Sequence, residues 1–280
     1  MKSARVLIVL AFAASLLAPV AAQQAPQPYR IVVTNDDGVR APGLAPLAQV
    51  LQAIGDVIIV GPDGNRTGAS HSVTTGDPIF RQDLTLPNGM RAIGLAATPA
   101  TSVQVALKNI VLPRADLVVS GINNAYNIGQ SAYLSGTVGA ARQAAMEGVP
   151  AIAVSMAAAA APRDYVFAAE EALGVARRLK QAGGLPPFTF LNVNVPPMPE
   201  GGYKGYRVVS QAAVRAGEEA FVEAKHPGGR TLYWSTYKEG ASAPEGTDVW
   251  AVNNGFVAVT AMRVGESDAT LARQVEAWFR

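Results

Sequence analysis

Arg30-Ile31-Val32-Val33-Thr34-Asn35-Asp36-Asp37-Gly38 is the stretch on which the fold of this chain turns. Its first half is a short β-branched run, apolar on successive positions, and reads as a strand buried on both faces. Its second half is a cluster of turn-forming residues. Residues 43–54 then place Leu44, Leu47, Val50, Leu51 and Ile54 at helical spacing. Asp56-Val57-Ile58-Ile59-Val60 is a second apolar run, ending at Gly61-Pro62-Asp63-Gly64. Strand, helix and strand within about 30 residues make a βαβ unit, so the two strands are expected to be parallel.

The rhythm continues outward from this unit. The sequence predicts short β runs between 73 and 95, a helix over 99–110, a strand over 116–120 and an Ala-rich helix over 136–148. A strand over 151–155, a helix over 163–182 and a strand over 188–195 follow. Residues 201–262 differ in texture: glycines, aromatics and alternating runs such as Thr231-Leu232-Tyr233-Trp234-Ser235 suggest antiparallel hairpins. A late strand near 255–260 and a terminal helix over 267–279 complete the chain. The expected class is α/β, a mostly parallel sheet flanked by helices, with a hairpin-and-helix extension suited to oligomer contact.

Composition narrows the function classes. Hydrophobic residues make up 49% of the chain and charged ones 16%, which excludes a disordered chain. There is no Cys, which removes disulfide frameworks, thiolate metal sites and cysteine nucleophiles. His71 and His226 are the only histidines. Residues 1–22 combine a cationic start, an apolar run from Val6 to Leu17 and Val20-Ala21-Ala22, the pattern of a secretory signal cleaved after Ala22. Its removal takes Lys2 and Arg5 and no acid, leaving 21 bases against 21 acids. The mature chain therefore has no charge excess to attract a nucleic-acid polymer or an anionic membrane. An exported chain without cysteine suits a bacterial periplasm. Residues 23–29 are a polar, Pro-containing lead-in expected to be disordered, and 30–280 form the folded domain.

In open parallel sheets, ligands bind beyond the carboxyl ends of the strands. Three polar loops follow predicted parallel strands: Asn35–Gly38, Asp63–Thr67 and Gly121–Asn124. They should emerge on one edge. Adjacent carboxylates such as Asp36 and Asp37 repel each other in a partly buried place unless a cation compensates. Carboxylate, amide and hydroxyl oxygens form a hard set that suits Mg²⁺, Mn²⁺ or Ca²⁺. A plain turn with an Asx cap explains Asp36-Asp37-Gly38 equally well on those residues alone. Leu134-Ser135-Gly136-Thr137-Val138 opens a helix, where exposed N–H groups and two hydroxyls can receive an anion. No Walker lysine and no GxGxxG follow the first strand.

Taken in order, these segments resemble the SurE nucleotidases. The resemblance rests on Ile31 to Gly38 with Ala41-Pro42-Gly43, Gly61 to Arg66, Gly68 to Thr74 and Ser120-Gly121-Ile122-Asn123. Asn127-Ile128-Gly129, Ser135-Gly136-Thr137-Val138, Gly148-Val149-Pro150-Ala151, Leu191 to Pro196 and Thr247-Asp248 extend it along the mature chain. The resemblance implies a Rossmann-like sheet with a C-terminal extension exchanged between subunits, in a homodimer or homotetramer. It implies a metal-dependent phosphatase that releases phosphate from nucleoside 5′- or 3′-monophosphates by attack of a metal-activated water. One divalent ion per subunit, Mg²⁺ or Mn²⁺, would be held by Asp36, Asp37, Thr67 and Asn123, with the two aspartates catalytic. Asn127, Ser135, Gly136 and Thr137 would bind the phosphate, and His71 is a further candidate for orienting substrate.

Four positions depart from the family pattern. Thr67 stands where Ser is usual, Thr101 where an acid is usual, Ser102 where Cys is usual, and Gln143 where Glu is usual. Broad acid phosphatase or exopolyphosphatase activity, an aspartyl-phosphate mechanism on Asp36, and binding without turnover are the competing readings.

Overall fold

The computed structural model describes residues 28–279 except 159–160, 198–201, 215–216, 241 and 266. The expected signal at 1–22 and nearly all of the lead-in lie outside the described residues. Tyr29, counted with the lead-in, is seated on the domain. Its carbonyl accepts from the Asp56 N–H at 2.8 Å, and the Lys180 ammonium lies 4.4 Å from its ring centroid. Gly55 is required there, because a Cβ at that position would lie 2.1 Å from the Tyr29 oxygen.

The central sheet has nine strands. In chain order they are β1 (Arg30–Thr34), β2 (Asp56–Pro62), β3 (Arg81–Thr85), β4 (Arg91–Leu95), β5 (Leu117–Asn123), β6 (Ala151–Met156), β7 (Thr189–Val195), β8 (Tyr206–Val209) and β11 (Val257–Arg263). Across the sheet the order is β3-β4-β2-β1-β5-β6-β7-β11-β8. The six strands from β4 to β7 are parallel, while β3 and β11 run antiparallel to their inner neighbours. The chain leaves β1 towards β2 and β4, then returns to place β5 on the other side of β1. That reversal opens a crevice at the carboxyl ends of β1 and β5.

Alternation along the strands builds two cores. Ile31 and Val33 pack on one face with Leu44, Leu47 and Leu51 of α1 (Leu44–Leu51) and Leu173 and Leu179 of α4 (Pro162–Gln181). Val32 and Val118 pack on the other with Val103 of α2 (Pro99–Val105) and Val138, Ala141 and Ala144 of α3 (Gly136–Met146). Each fully buried Val or Leu contributes roughly 1.5–3 kcal/mol. Helix α2 widens into a π turn over Ala106–Ile110, so the single helix expected over 99–110 is two pieces.

The extension is a two-stranded antiparallel arm, β9 (Gly217–Lys225) and β10 (Thr231–Glu239), followed by the short α5 (Asp248–Asn253) before β11. Helix α6 (Ala269–Glu276) ends the described chain with one further turn. A small third core of Ile128, Ala212, Val249, Val252 and Ala258 roots the arm. Beside it lies Asp248, fully buried. One of its carboxylate oxygens accepts from Gly129 N at 2.9 Å, and the other from Ala212 N and Val249 N at 2.9 Å each. Burial pushes this carboxyl above the usual carboxylate range, and those N–H groups oppose the rise. Asp248 thus stitches the loop after β5 to the base of the arm.

Candidate active site

Beyond the β1 and β5 ends lies a cavity of about 1020 Å³. Its floor is built by the loops the sequence singles out: Asp36 and Asp37 after β1, Thr67 after β2, and Asn123 and Asn127 at and after β5. Ser135, at the start of α3, lines it as well. Its outer wall comes from far away in sequence: Ser235, Thr236, Ser242, Val249 and Asn253, from the arm to α5.

Asp36 is 2% exposed, and Asp37 beside it is half-buried. Burial raises the Asp36 carboxyl above the ordinary carboxylate range. The Thr137 hydroxyl bond opposes the rise, and the Asp37 charge adds to it. The Thr137 hydroxyl donates to Asp36 Oδ1 at 2.5 Å, and the Thr137 N–H also addresses this carboxylate. The helix approaches so closely that a Cβ on Gly136 would lie 2.7 Å from the Asp36 Cβ and 3.0 Å from its Oδ2. Gly136 is therefore the residue that lets the N-terminus of α3 reach the acid.

The other oxygens are also oriented. Thr67 Oγ1 donates to Asp37 Oδ1 at 3.2 Å, and Asn65 Nδ2 reaches the same oxygen at 3.4 Å. Asn123 gives its Nδ2 to the Ala125 carbonyl at 2.7 Å, which leaves its Oδ1 as the atom with ligating capacity. Among the described residues no three His, Cys, Asp or Glu side chains converge as a metal-binding group. A cation at this edge would therefore take two carboxylates and complete its shell with the neutral oxygens of Thr67 and Asn123. That donor set fits a hard divalent ion.

The anion-binding assignments are redistributed by the geometry. Ser135 caps α3, its Oγ accepting from Val138 N at 3.1 Å. Its own proton remains for a ligand; of the first-turn N–H groups, that of Val138 is taken by this cap and that of Thr137 by Asp36, so Gly136 is the one whose N–H could join it. Thr137, expected on the phosphate, spends its hydroxyl on Asp36. Asn127 is buried, and its backbone and its amide nitrogen are engaged. Its N–H donates to Asn194 Oδ1 at 2.8 Å, its carbonyl accepts from Asn192 and Asn194, and its Nδ2 donates to Ser155 Oγ at 2.7 Å. The donor end of its amide is thus engaged inside the protein. His71 does not line the cavity; its Nε2 is paired with Gln143 Oε1 at 2.8 Å.

Some supporting residues have weak signals in the sequence. Asn192 and Asn194 lie two apart on a strand, hence on one face, and that pairing inside an apolar run could have marked them. Thr101, where an acid was expected, is buried. It accepts from Thr74 N at 2.8 Å and from the Thr98 hydroxyl at 3.1 Å, so it pins the segment after the Thr67 loop to the start of α2.

Comparison with known proteins agrees with this architecture. The family model described as "Survival protein SurE" matches residues 31–218. The 5'-nucleotidase SurE of Desulfitobacterium hafniense is 38% identical over 239 residues, covering 85% of this chain and 92% of its own length. The protein of the same name from Coxiella burnetii is 37% identical over 256 residues, covering 90% and 95%. The crystal structure of the SurE protein from Aquifex aeolicus superposes with a TM-score of 0.76 at 30% identity, covering 90% of this chain and all of that one. With its parallel sheet, its acid-bearing β1 loop and its serine-capped α3 all in place, this chain belongs to the SurE family.

Proposed function

We propose that this protein is a divalent-cation-dependent phosphomonoesterase acting on nucleoside 5′- and 3′-monophosphates. One observation carries the reading: a buried acid, Asp36, stands between the N-terminus of α3 and a cavity whose opposite wall is neutral and hydroxylated. Acceptors gather on one side of the floor and donors on the other, which suits a phosphoryl group bridging cation and helix start. The relatives named 5'-nucleotidase support the substrate class.

The residues suggest the following division of work. Asp36, Asp37, Thr67 and Asn123 would hold a Mg²⁺ or Mn²⁺ ion, which supplies Lewis-acid polarisation and charge neutralisation when bound. The Ser135 hydroxyl and the Gly136 N–H at the start of α3 would hold phosphoryl oxygens and stabilise the charge that builds on them. Thr137 aims the Asp36 carboxylate and opposes the rise that burial imposes on it. Ser235, Thr236 and Asn253 border the space left for the leaving alcohol. An aspartyl-phosphate route is disfavoured, because Asp36 is buried and bound by Thr137, with Gly136 packed against its Oδ2. A panel of phosphomonoesters and short polyphosphate, assayed for phosphate release with EDTA and with each metal restored, tests the reading. Nucleoside monophosphates should be turned over, EDTA should stop turnover, and Mg²⁺ or Mn²⁺ should restore it. Full activity in EDTA, or a trapped phosphoenzyme, would refute it.

Residues 1–22 support export to the periplasm. The exposed Phe221, Val222, Tyr233 and Trp234 of the arm support pairing with further copies of the chain. Protein recovered from a periplasmic extract should begin at or next to Gln23 and sediment as a dimer or tetramer. An intact Met1 start, or a monomeric mass, would argue against the respective half of this reading.

A further inference from the structure

Helix α3 carries a polar chain that the chemistry above does not use. Gln143 is 3% exposed, in a helix that also buries Ala140, Ala141, Ala144 and Ala145. Its Nε2 donates to Glu147 Oε1 at 3.0 Å, and Lys108 Nζ lies 2.9 Å from the same oxygen. The amide is thereby turned so that its Oε1 meets His71 Nε2 at 2.8 Å, and the imidazole must donate there. A buried amide is costly unless both ends are paired, and an alanine would suit this helix face. The pairing with His71 therefore calls for a reason beyond packing.

The reason lies at the other end of the loop that His71 closes. At its start, Arg66 N donates to the Asp36 carbonyl at 2.6 Å, and Thr67 Oγ1 donates to Asp37. At its end, Ser70 N donates to the Leu134 carbonyl at 3.1 Å and Ser70 Oγ to the Tyr133 carbonyl at 2.5 Å. Helix α3 lies directly against that end: a Cβ on Gly139 would sit 2.1 Å from the Ser70 oxygen and 3.1 Å from the His71 Cα. Between the two anchored ends stands Gly68 at φ +75°, a conformation that glycine adopts without strain. The loop is a strap, fastened to the acids at one end and to α3 at the other.

We propose that Gln143 is a positioning residue of the cation site: through His71 it holds the strap that presents the Thr67 hydroxyl beside Asp37. The proposal rests on reading Asp36, Asp37, Thr67 and Asn123 as the cation-binding set. It also gives His71 a task other than orienting substrate.

The test is calorimetric titration of Mn²⁺ into the metal-free mature protein, with no substrate present. Gln143→Met keeps the volume and removes the acceptor. It is expected to weaken Mn²⁺ binding about tenfold, the lower end of what residues supporting metal ligands contribute. His71→Ala should do the same, and the double variant should be no worse than either single one. In a Thr67→Ala background, Gln143→Met should have no further effect, an outcome that a purely structural role would not produce. Unchanged Mn²⁺ affinity in Gln143→Met and His71→Ala, or a full effect persisting without Thr67, overturns the proposal. If Gln143→Met does not fold, His71→Ala alone and in the Thr67→Ala background decides the matter. Wild-type protein that binds no Mn²⁺, or an Asp37→Asn variant that binds it normally, would instead overturn the cation-site reading itself.

Discussion

Asp36→Asn is expected to reduce phosphate release on the order of a hundredfold or more, while the metal-free protein becomes no less stable than the wild type. The two halves have one cause. Asp36 is nearly inaccessible, its carboxyl is raised by burial, and Asp37 lies next to it. Ionising it in the metal-free fold therefore costs free energy that an asparagine of the same shape does not. The amide oxygen can still accept from the Thr137 hydroxyl, so the local geometry survives. What is lost is the charge that a cation requires, equivalent to about 3 kcal/mol or more of transition-state stabilisation. The pH dependence has a definite sign. A carboxyl that holds its proton more tightly when folded makes the metal-free protein lose stability as pH rises from the usual carboxylate range through its raised value. Asp248 is shifted in the same direction and is present in both proteins, so the difference between their stability curves isolates Asp36. Phosphate-release kinetics with Mn²⁺ and thermal unfolding in EDTA across pH check both halves. A near-wild-type rate, or a metal-free melting temperature several degrees below wild type, would contradict the account.

Gly136→Ala is expected to lower Mn²⁺ affinity and phosphate release by on the order of 10–100-fold. Local propensity argues the opposite way, since alanine in a helix is better than glycine by about 1 kcal/mol. The tertiary contact decides. The added Cβ would lie 2.7 Å from the Asp36 Cβ, so either the β1 loop or the first turn of α3 must withdraw. Withdrawal also breaks the Thr137 bond that aims the carboxylate. Gly64, on the neighbouring loop, is the control: a Cβ there meets nothing within 4 Å, and Gly64→Ala should leave both quantities unchanged. Mn²⁺ titration and steady-state kinetics on the two variants measure the contrast, and wild-type behaviour of Gly136→Ala would remove the argument.

The α/β class, the parallel pairing of β1 with β2 and the convergence of loops at one edge were legible because each follows from period and topology. Apolar runs such as Ile31–Val33 declare buried strands, and a helix of ordinary length between two of them declares the crossover. Asp36 and Asp37 stood out because adjacent acids at a strand end call for compensation. The bond from Thr137 to Asp36 was not legible, for a physical reason: a hydroxyl at a helix start serves an anion, and the sequence does not say that the protein's own Asp36 lies within its reach. Asp248 and Gly136 were legible only as members of a resemblance. Their work is done across 119 residues to Gly129 in one case, and at a close approach of α3 to the β1 loop in the other. No local pattern encodes either. The wall formed by Ser235, Thr236 and Asn253 escaped for the same reason, since its neighbours in space are far away in the chain.

That wall has a consequence for the order in which the molecule becomes complete. The acid-bearing edge is assembled from residues between Asp36 and Thr137, and its strands can pair while the remainder of the chain is still unplaced. The chamber above it waits for segments some two hundred residues downstream of β1, and contacts of such long sequence separation form late and slowly. On the proposed reading of the cation site, a half-finished molecule would have a grip for an ion before it has a room for an organic group. A break in the exposed turn between β9 and β10, at Gly228–Gly229, would return a finished molecule towards that earlier state without touching a single residue of the floor.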